Sequence, residues 1–176
     1  MFEQCEIKPL INTEELQEKI KVMAQKLNEV YKDEEVFLIC VLKGSVMFFA
    51  DLAKYLTMPV QMEFIRLSSY GSGTSTSGKI NVVDMSLPDL NGKNVIIVED
   101  IIDSGLTAKF LIDFFNNNFK VKDLKFCSLL DKKTRRQVEV NADYFCFEVD
   151  DKFIVGYGLD KDGYYRNIPY IGYIET

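Results

Sequence analysis

The sequence predicts an α/β fold, a central, mostly parallel sheet flanked by helices. Three observations lead to it. Val36–Leu42 is an unbroken apolar run of strand length, as expected of a strand buried on both faces, and a helical pattern follows it. Val95–Val98 repeats the arrangement with β-branched residues, again passing through a short loop into a helical pattern. Between them the loop residues are polar or small, which places the turns at the sheet's carboxyl edge, where open α/β folds bind ligands.

Taken in order, Asn12–Glu15 reads as a helix start, with a capping residue and a glutamate three places on. Leu16, Ile20, Met23, Ala24, Leu27, Val30 and Tyr31 then recur at helical spacing, giving an amphipathic helix to pack on a sheet. Val36–Leu42 ends in Lys43-Gly44-Ser45, and Val46, Phe49, Ala50, Leu52, Ala53 and Leu56 restore the helical period. Lys-Gly at this turn reads either as an ordinary bend or as an ammonium and bare N–H groups offered to an anion. Val60–Leu67 alternates as a strand. It leads through Ser69-Tyr70 into Gly71–Gly78, where every residue is Gly, Ser or Thr. Such a segment cannot hold itself in a core; it is a plain hairpin loop or a lid that excludes water from a substrate. A strand resumes at Lys79, and the turn Leu90–Lys93 returns the chain to the central strand.

After the loop a helix begins near Thr107, with Phe110, Leu111, Phe114 and Phe115 at helical spacing. A strand over Leu124–Leu130 ends in Asp131-Lys132-Lys133-Thr134-Arg135-Arg136, the densest basic cluster of the chain. Its position beside the central strand favours anion or carbonyl binding over a merely solvated charge run.

Bulk properties narrow the function. At 176 residues the chain is expected to form one domain. A net charge of −6 argues against a general nucleic-acid or anionic-membrane surface. No apolar run approaches the ~20 residues that span a bilayer, and the N-terminus lacks a secretory pattern, so a cytoplasmic setting is expected. Cys5, Cys40, Cys127 and Cys146 form no C-x-x-C pair and read as reduced thiols. The absence of histidine excludes Ser-His-Asp and Cys-His catalysis and leaves carboxylates, Lys, Arg and Tyr for chemistry.

The most informative stretch is Glu99-Asp100-Ile-Ile-Asp103-Ser104-Gly105-Leu106-Thr107 at the end of the central strand. Backbone N–H groups of Ser104–Thr107, with two hydroxyls, would converge in front of a helix N-terminus, a geometry suited to a phosphate monoester. A phosphate does not sit beside uncompensated carboxylates, so Glu99 and Asp100 should face sugar hydroxyls or a hard cation such as Mg²⁺.

These nine residues resemble the phosphoribosyl-diphosphate (PRPP) loop of type I phosphoribosyltransferases, closest to the hypoxanthine–guanine branch. Leu42-Lys43-Gly44 matches that family's diphosphate loop, Ser69-Tyr70 its lid pair, and Lys132 the lysine that reads the purine O6. Lys152-Phe-Ile-Val-Gly-Tyr-Gly-Leu-Asp160, followed by Tyr165-Arg166-Asn167, resembles its purine hood and diphosphate arginine. The resemblance covers essentially the whole chain from Val36 onward.

It implies the type I phosphoribosyltransferase fold, with a hood contributed mainly by residues 144–176 and a mobile lid over about 69–79. It implies transfer of the 5-phosphoribosyl group from Mg-PRPP to N9 of hypoxanthine or guanine, giving IMP or GMP and diphosphate, by a homodimer or homotetramer. Asp103 would be the general acid/base at purine N7. Glu99 and Asp100 would hold the ribose and, with Asp160, Mg²⁺. Ser104, Gly105, Leu106 and Thr107 would bind the 5′-phosphate, and Lys43, Gly44 and Arg166 the diphosphate. Lys132, Phe153, Ile154 and Asp160 would meet the base. Two alternatives are a xanthine–guanine preference and a non-catalytic regulator that keeps the fold; the complete set Asp103, Lys132, Phe153 and Asp160 speaks against the second.

Overall fold

The structure, a computed structural model, describes residues 5–69 and 80–175. The described elements run β1 (Lys8–Ile11), α1 (Thr13–Tyr31), β2 (Val36–Leu42), α2 (Val46–Tyr55), β3 (Val60–Ser69) and β4 (Ile80–Asp84). They continue as β5 (Asn94–Ile102), α3 (Leu106–Asn118), β6 (Asp123–Asp131), β7 (Tyr144–Glu148), β8 (Phe153–Val155) and β9 (Ile171–Ile174). A single 3₁₀ turn over Lys133–Arg135 follows β6.

The main sheet has the strand order β4-β3-β2-β5-β6-β7. All of its neighbouring pairs are parallel except β3 with β4, so the expected architecture is the observed one. The apolar runs are continuous because both faces are covered. Val36, Leu38 and Cys40 of β2 and Ile96 and Val98 of β5 face a core shared with α1 and α2. Phe37, Ile39 and Val41, with Val95 and Ile97, face a second core that contains Leu111 and Phe115 of α3. Period-2 alternation between two apolar layers leaves no polar position in the strand, the signature of a central parallel strand.

α1 begins as predicted. Asn12 Oδ1 accepts the Glu15 N–H at 2.9 Å, and the Glu15 carboxylate accepts the Asn12 N–H at 3.0 Å. Its buried stripe comprises Leu16, Ile20, Met23, Ala24, Leu27 and Tyr31. Val30, expected on that stripe, lies at its flank and is exposed, because Leu27 and Tyr31 already fill the turn that faces the sheet.

A second, three-stranded antiparallel sheet has the order β1-β9-β8. Here the sequence-based boundary needs correction. Residues 144–148, expected in the hood, form β7, which pairs parallel to β6 at the edge of the main sheet. Cys146 of β7 is buried in the same core as α1. The small sheet instead recruits β1 from the other end of the chain, paired antiparallel to β9. Ile154, Tyr157, Leu159 and Ile171 bury against the α1/α2 core, so the small sheet sits over the carboxyl end of the main sheet on that side.

Cys40, Cys127 and Cys146 are buried free thiols, and Cys5 is partly exposed. No described helix is long and apolar enough to cross a membrane.

Candidate active site

The loop between β5 and α3 surrounds a cavity of about 230 Å³ lined by residues 99–105 together with Thr107 and Ala108. Gly105 caps α3 with φ +84°, a conformation that only glycine adopts without strain. A Cβ there would also lie 2.7 Å from Val140 and 2.8 Å from the Arg136 side chain. Below the loop, Gln137 donates its N–H to the Ser104 carbonyl at 2.9 Å, and Arg136 binds the Val140 carbonyl and the Asp131 carboxylate. The first turn of α3 carries no acidic residue, in contrast to α1 with Glu14 and Glu15; Leu106 donates its N–H weakly to Ser104 Oγ at 3.4 Å, and the positive end of the helix dipole suits an anion.

Glu99 and Asp100 close the other side. Glu99 is 8% exposed, and its Oε2 has no hydrogen-bond partner. Burial drives both carboxyls above their ordinary values, and for Glu99 the adjacent Asp100 carboxylate adds to the effect. A buried and a half-buried carboxylate, the first with an orphaned oxygen, fit a hard divalent cation that is otherwise held by substrate oxygens. Among the described residues no three metal-ligating side chains converge, so Asp160 stands apart from this pair. Its Oδ1 lies 2.6 Å from Arg166 and its Oδ2 accepts the Gly163 N–H at 2.7 Å.

The turn after β2 meets the Asp100 carboxylate. Lys43 is exposed, Gly44 is buried, and the Leu42–Lys43 peptide is cis. A Cβ on Gly44 would fall 1.5 Å from Asp100 Oδ2. On the opposite side, a Cβ on Gly158 would fall 1.9 Å from the Gly44 carbonyl oxygen. Two glycines thus let three backbone and side-chain layers close up. Arg166 joins them by donating to the Gly158 carbonyl at 2.7 Å, which brings Arg166 and Gly44 to the two sides of Gly158, while the exposed Lys43 side chain makes no hydrogen bond or ion pair there among the described residues.

A larger cavity of about 1130 Å³ opens between the two sheets. Phe153, 44% exposed, presents its ring there rather than to a core, while Ile154 is buried behind it. Among the described strands β8 pairs with β9 alone, at one edge of the small sheet. Lys132 is 5% exposed, and its ammonium donates to the Lys152 carbonyl at 2.9 Å. Asp151 lies 3.7 Å and Asp103 4.0 Å from that ammonium. Buried charge persists only where it is compensated in this way.

Asp103 lines both cavities, and its Oδ1 is buried without a partner. The rest of the basic cluster is neutralised locally: Lys133 pairs with Glu148 at 2.6 Å and Arg135 with Asp151 at 2.6 Å. Ser69 closes β3, but its side chain, Tyr70 and the Gly/Ser/Thr segment to residue 79 lie outside the described residues.

Sequence reasoning missed Gly158, Asp151 and Arg136. The Gly-Tyr-Gly spacing at 156–158 inside an apolar run signals close backbone approach, and both glycines do have positive φ. Nothing in the sequence distinguishes Asp151 or Arg136 from surface charges.

Comparison with known proteins agrees with this geometry. The family model "Phosphoribosyl transferase domain" matches residues 10–162, and the chain belongs to that family. Within it, the chain is 42% identical to the hypoxanthine-guanine phosphoribosyltransferase of Bacillus subtilis (strain 168), over 96% of this chain and 93% of that protein. A crystal structure of a hypoxanthine-guanine phosphoribosyltransferase from Bacillus anthracis superimposes with a TM-score of 0.90 at 48% identity, covering 97% of this chain and all of that one. The hypoxanthine phosphoribosyl transferase of Trypanosoma cruzi gives 0.89 at 37% identity, over 99% and 94% of the two chains.

Proposed function

We infer that this protein is a purine salvage enzyme. It transfers the 5-phosphoribosyl group from PRPP to N9 of hypoxanthine or guanine, giving IMP or GMP and releasing diphosphate. The observation that carries the reading is Asp103, whose carboxylate lines both the loop cavity and the Phe153 cavity. A group shared by a phosphate cradle and an aromatic-walled cavity suits a reaction that joins a phosphosugar to a flat base.

Departure of diphosphate leaves oxocarbenium character on the sugar, so positioning and charge neutralisation dominate the rate. The Ser104–Thr107 loop receives the 5′-phosphate, and the Lys43–Gly44 turn with Arg166 receives the diphosphate. Asp103 exchanges the proton at purine N7. Lys132, an obligate donor held by three oxygens, favours a 6-oxo over a 6-amino purine. Phe153 stacks on the base, and Ile154 offers backbone groups to its edge. Glu99 and Asp100 hold the ribose hydroxyls and Mg²⁺, which when bound neutralises diphosphate charge. Asp160 is a third candidate ligand, a role that requires exchanging its Arg166 partner. Ser69 and Tyr70 belong to the lid of this reading.

The enzyme works in the cytoplasm as a homodimer or homotetramer, without nucleic acid or membrane. Exposed Met62 and Phe64 on β3 and Val82 and Val83 on β4 support self-association, which sedimentation would measure. The reading is tested by offering hypoxanthine, guanine, xanthine and adenine separately with PRPP and Mg²⁺. Rapid IMP and GMP formation with adenine inert is expected. Binding of PRPP without turnover of any base would replace the enzyme by a regulator.

A further inference from the structure

We propose that Tyr157 and Asp51 form a positioning pair that sets the approach of the Gly156–Gly158 turn to the Lys43–Gly44 turn, and thereby the diphosphate end of the site. The proposal rests on the PRPP reading above. Tyr157 lies between two glycines at positive φ and itself adopts φ +48°, unusual for an aromatic residue. Its N–H donates to the Ile168 carbonyl at 2.8 Å, which directs the side chain inward, where it is 6% exposed.

The hydroxyl donates to Asp51 Oδ2 on α2. The same oxygen accepts from the Gln17 amide of α1 at 2.6 Å, and Gln17 Oε1 accepts from the Tyr55 hydroxyl at 2.9 Å. Asp51 Oδ1 points the other way, 2.5 Å from Lys54. Burial raises the Tyr157 phenol well above its ordinary value, so it stays protonated and donates.

α2 starts two residues after Gly44, and Gly158 follows Tyr157 directly. The pair therefore clamps both sides of one contact. A Cβ on Gly158 would lie 1.9 Å from the Gly44 oxygen, so the turns have no slack at the contact, and Arg166 is held on the Gly158 carbonyl. A phenylalanine at 157 would fill the same space. The hydroxyl adds only the tie to α2, and neither residue lines the described cavities.

The test measures kcat and both KM values, with thermal midpoints, for wild type, Tyr157→Phe, Asp51→Ala and Asp51→Asn. Tyr157→Phe and Asp51→Ala are expected to raise the KM for PRPP about tenfold, the worth of one hydrogen bond to a charged acceptor, and to leave the KM for hypoxanthine within about twofold. Asp51→Asn keeps a carbonyl oxygen toward Tyr157 and Gln17 and should restore the PRPP KM. A lowered thermal midpoint with an unchanged PRPP KM overturns the proposal, as does an equal rise in both KM values or failure of the Asn variant to rescue. If Tyr157→Phe does not fold, the contrast between the two Asp51 variants decides alone. Wild type that turns over no base with PRPP defeats the functional reading instead.

Discussion

The two walls of the site are built in opposite ways. On the main sheet, Glu99–Thr107 supplies its chemistry from one contiguous stretch, fixed at the end of a strand with both faces buried. On the small-sheet side, Phe153 opens β8, and Asp160 and Arg166 follow in turns with left-handed residues, where contact depends on the missing side chains of glycines. Rigid strand ends can hold a buried carboxyl such as that of Glu99. The turn-built wall is tied within itself by Asp160 on Arg166 and across to the main sheet by the Lys132 ammonium on the Lys152 carbonyl. One wall suits chemistry on the sugar, the other selection of a base.

The largest expected effect falls where the walls share a residue. Asp103→Asn should lower kcat by about 10²–10⁴-fold, the usual range for a lost general acid/base, with PRPP binding retained in equilibrium titration. An unchanged kcat would detach proton transfer from the main-sheet wall. Next comes the contact between the walls. Gly44→Ala places a methyl 1.5 Å from a carboxylate fixed on β5, so kcat/KM for PRPP should fall by about 10²-fold or more, as ångström-scale misplacement does. Gly163→Ala is the control: it also has positive φ, +86°, but nothing lies within 4 Å of the added atom. It should cost about 1–2 kcal/mol of backbone strain in denaturant melts and little activity.

The same contrast governs what could be read in advance. The parallel sheet, its helices and the whole β5–α3 loop follow from local pattern, because buried strands declare themselves by composition and phosphate loops by their small residues. Phe153, Asp160 and Arg166 were recognised only through resemblance, since each alone is an ordinary aromatic or charged residue. The assignment of β7 to the main sheet and of β1 to the small one was hidden, because strand partners are set by tertiary packing rather than by the strand's own residues. Gly158 was hidden for a related reason: its importance is the absence of an atom at a contact with a residue 114 positions away.

A smaller effect tests the buried carboxylates. Burial raises Glu99 and Asp100, so the folded state binds their protons more tightly than the unfolded chain. That contribution is fully present below the ordinary carboxylate pKa and is lost as pH rises through the raised values. Glu99→Gln removes one of the charges. Its melting point in metal-free buffer above neutral pH should exceed that of wild type by about 2–4 °C per kcal/mol of relieved charge burial. The difference should vanish near pH 4, and Mg²⁺ with PRPP should stabilise wild type more than the variant. A Gln variant that melts with wild type at every pH would mean that Glu99 is not held against a charge penalty.

The smallest effect belongs to the turn-built wall. Phe153 is 44% exposed on the larger cavity and supports no core, so Phe153→Ala should leave the melting point within about 1–2 °C, as surface substitutions do. If the ring stacks on the purine, the variant loses about 0.5–1.5 kcal/mol, or roughly a 2–10-fold rise in KM for hypoxanthine, with the KM for PRPP unchanged. Steady-state kinetics with each substrate varied in turn separates the two. A rise in the PRPP KM of the same size would mean that Phe153 acts on closure of the whole site, and the division of labour between the walls would then be weaker than their construction suggests. An unaltered hypoxanthine KM would move base selection from the ring to Lys132, whose ammonium is anchored on Lys152, the residue before Phe153.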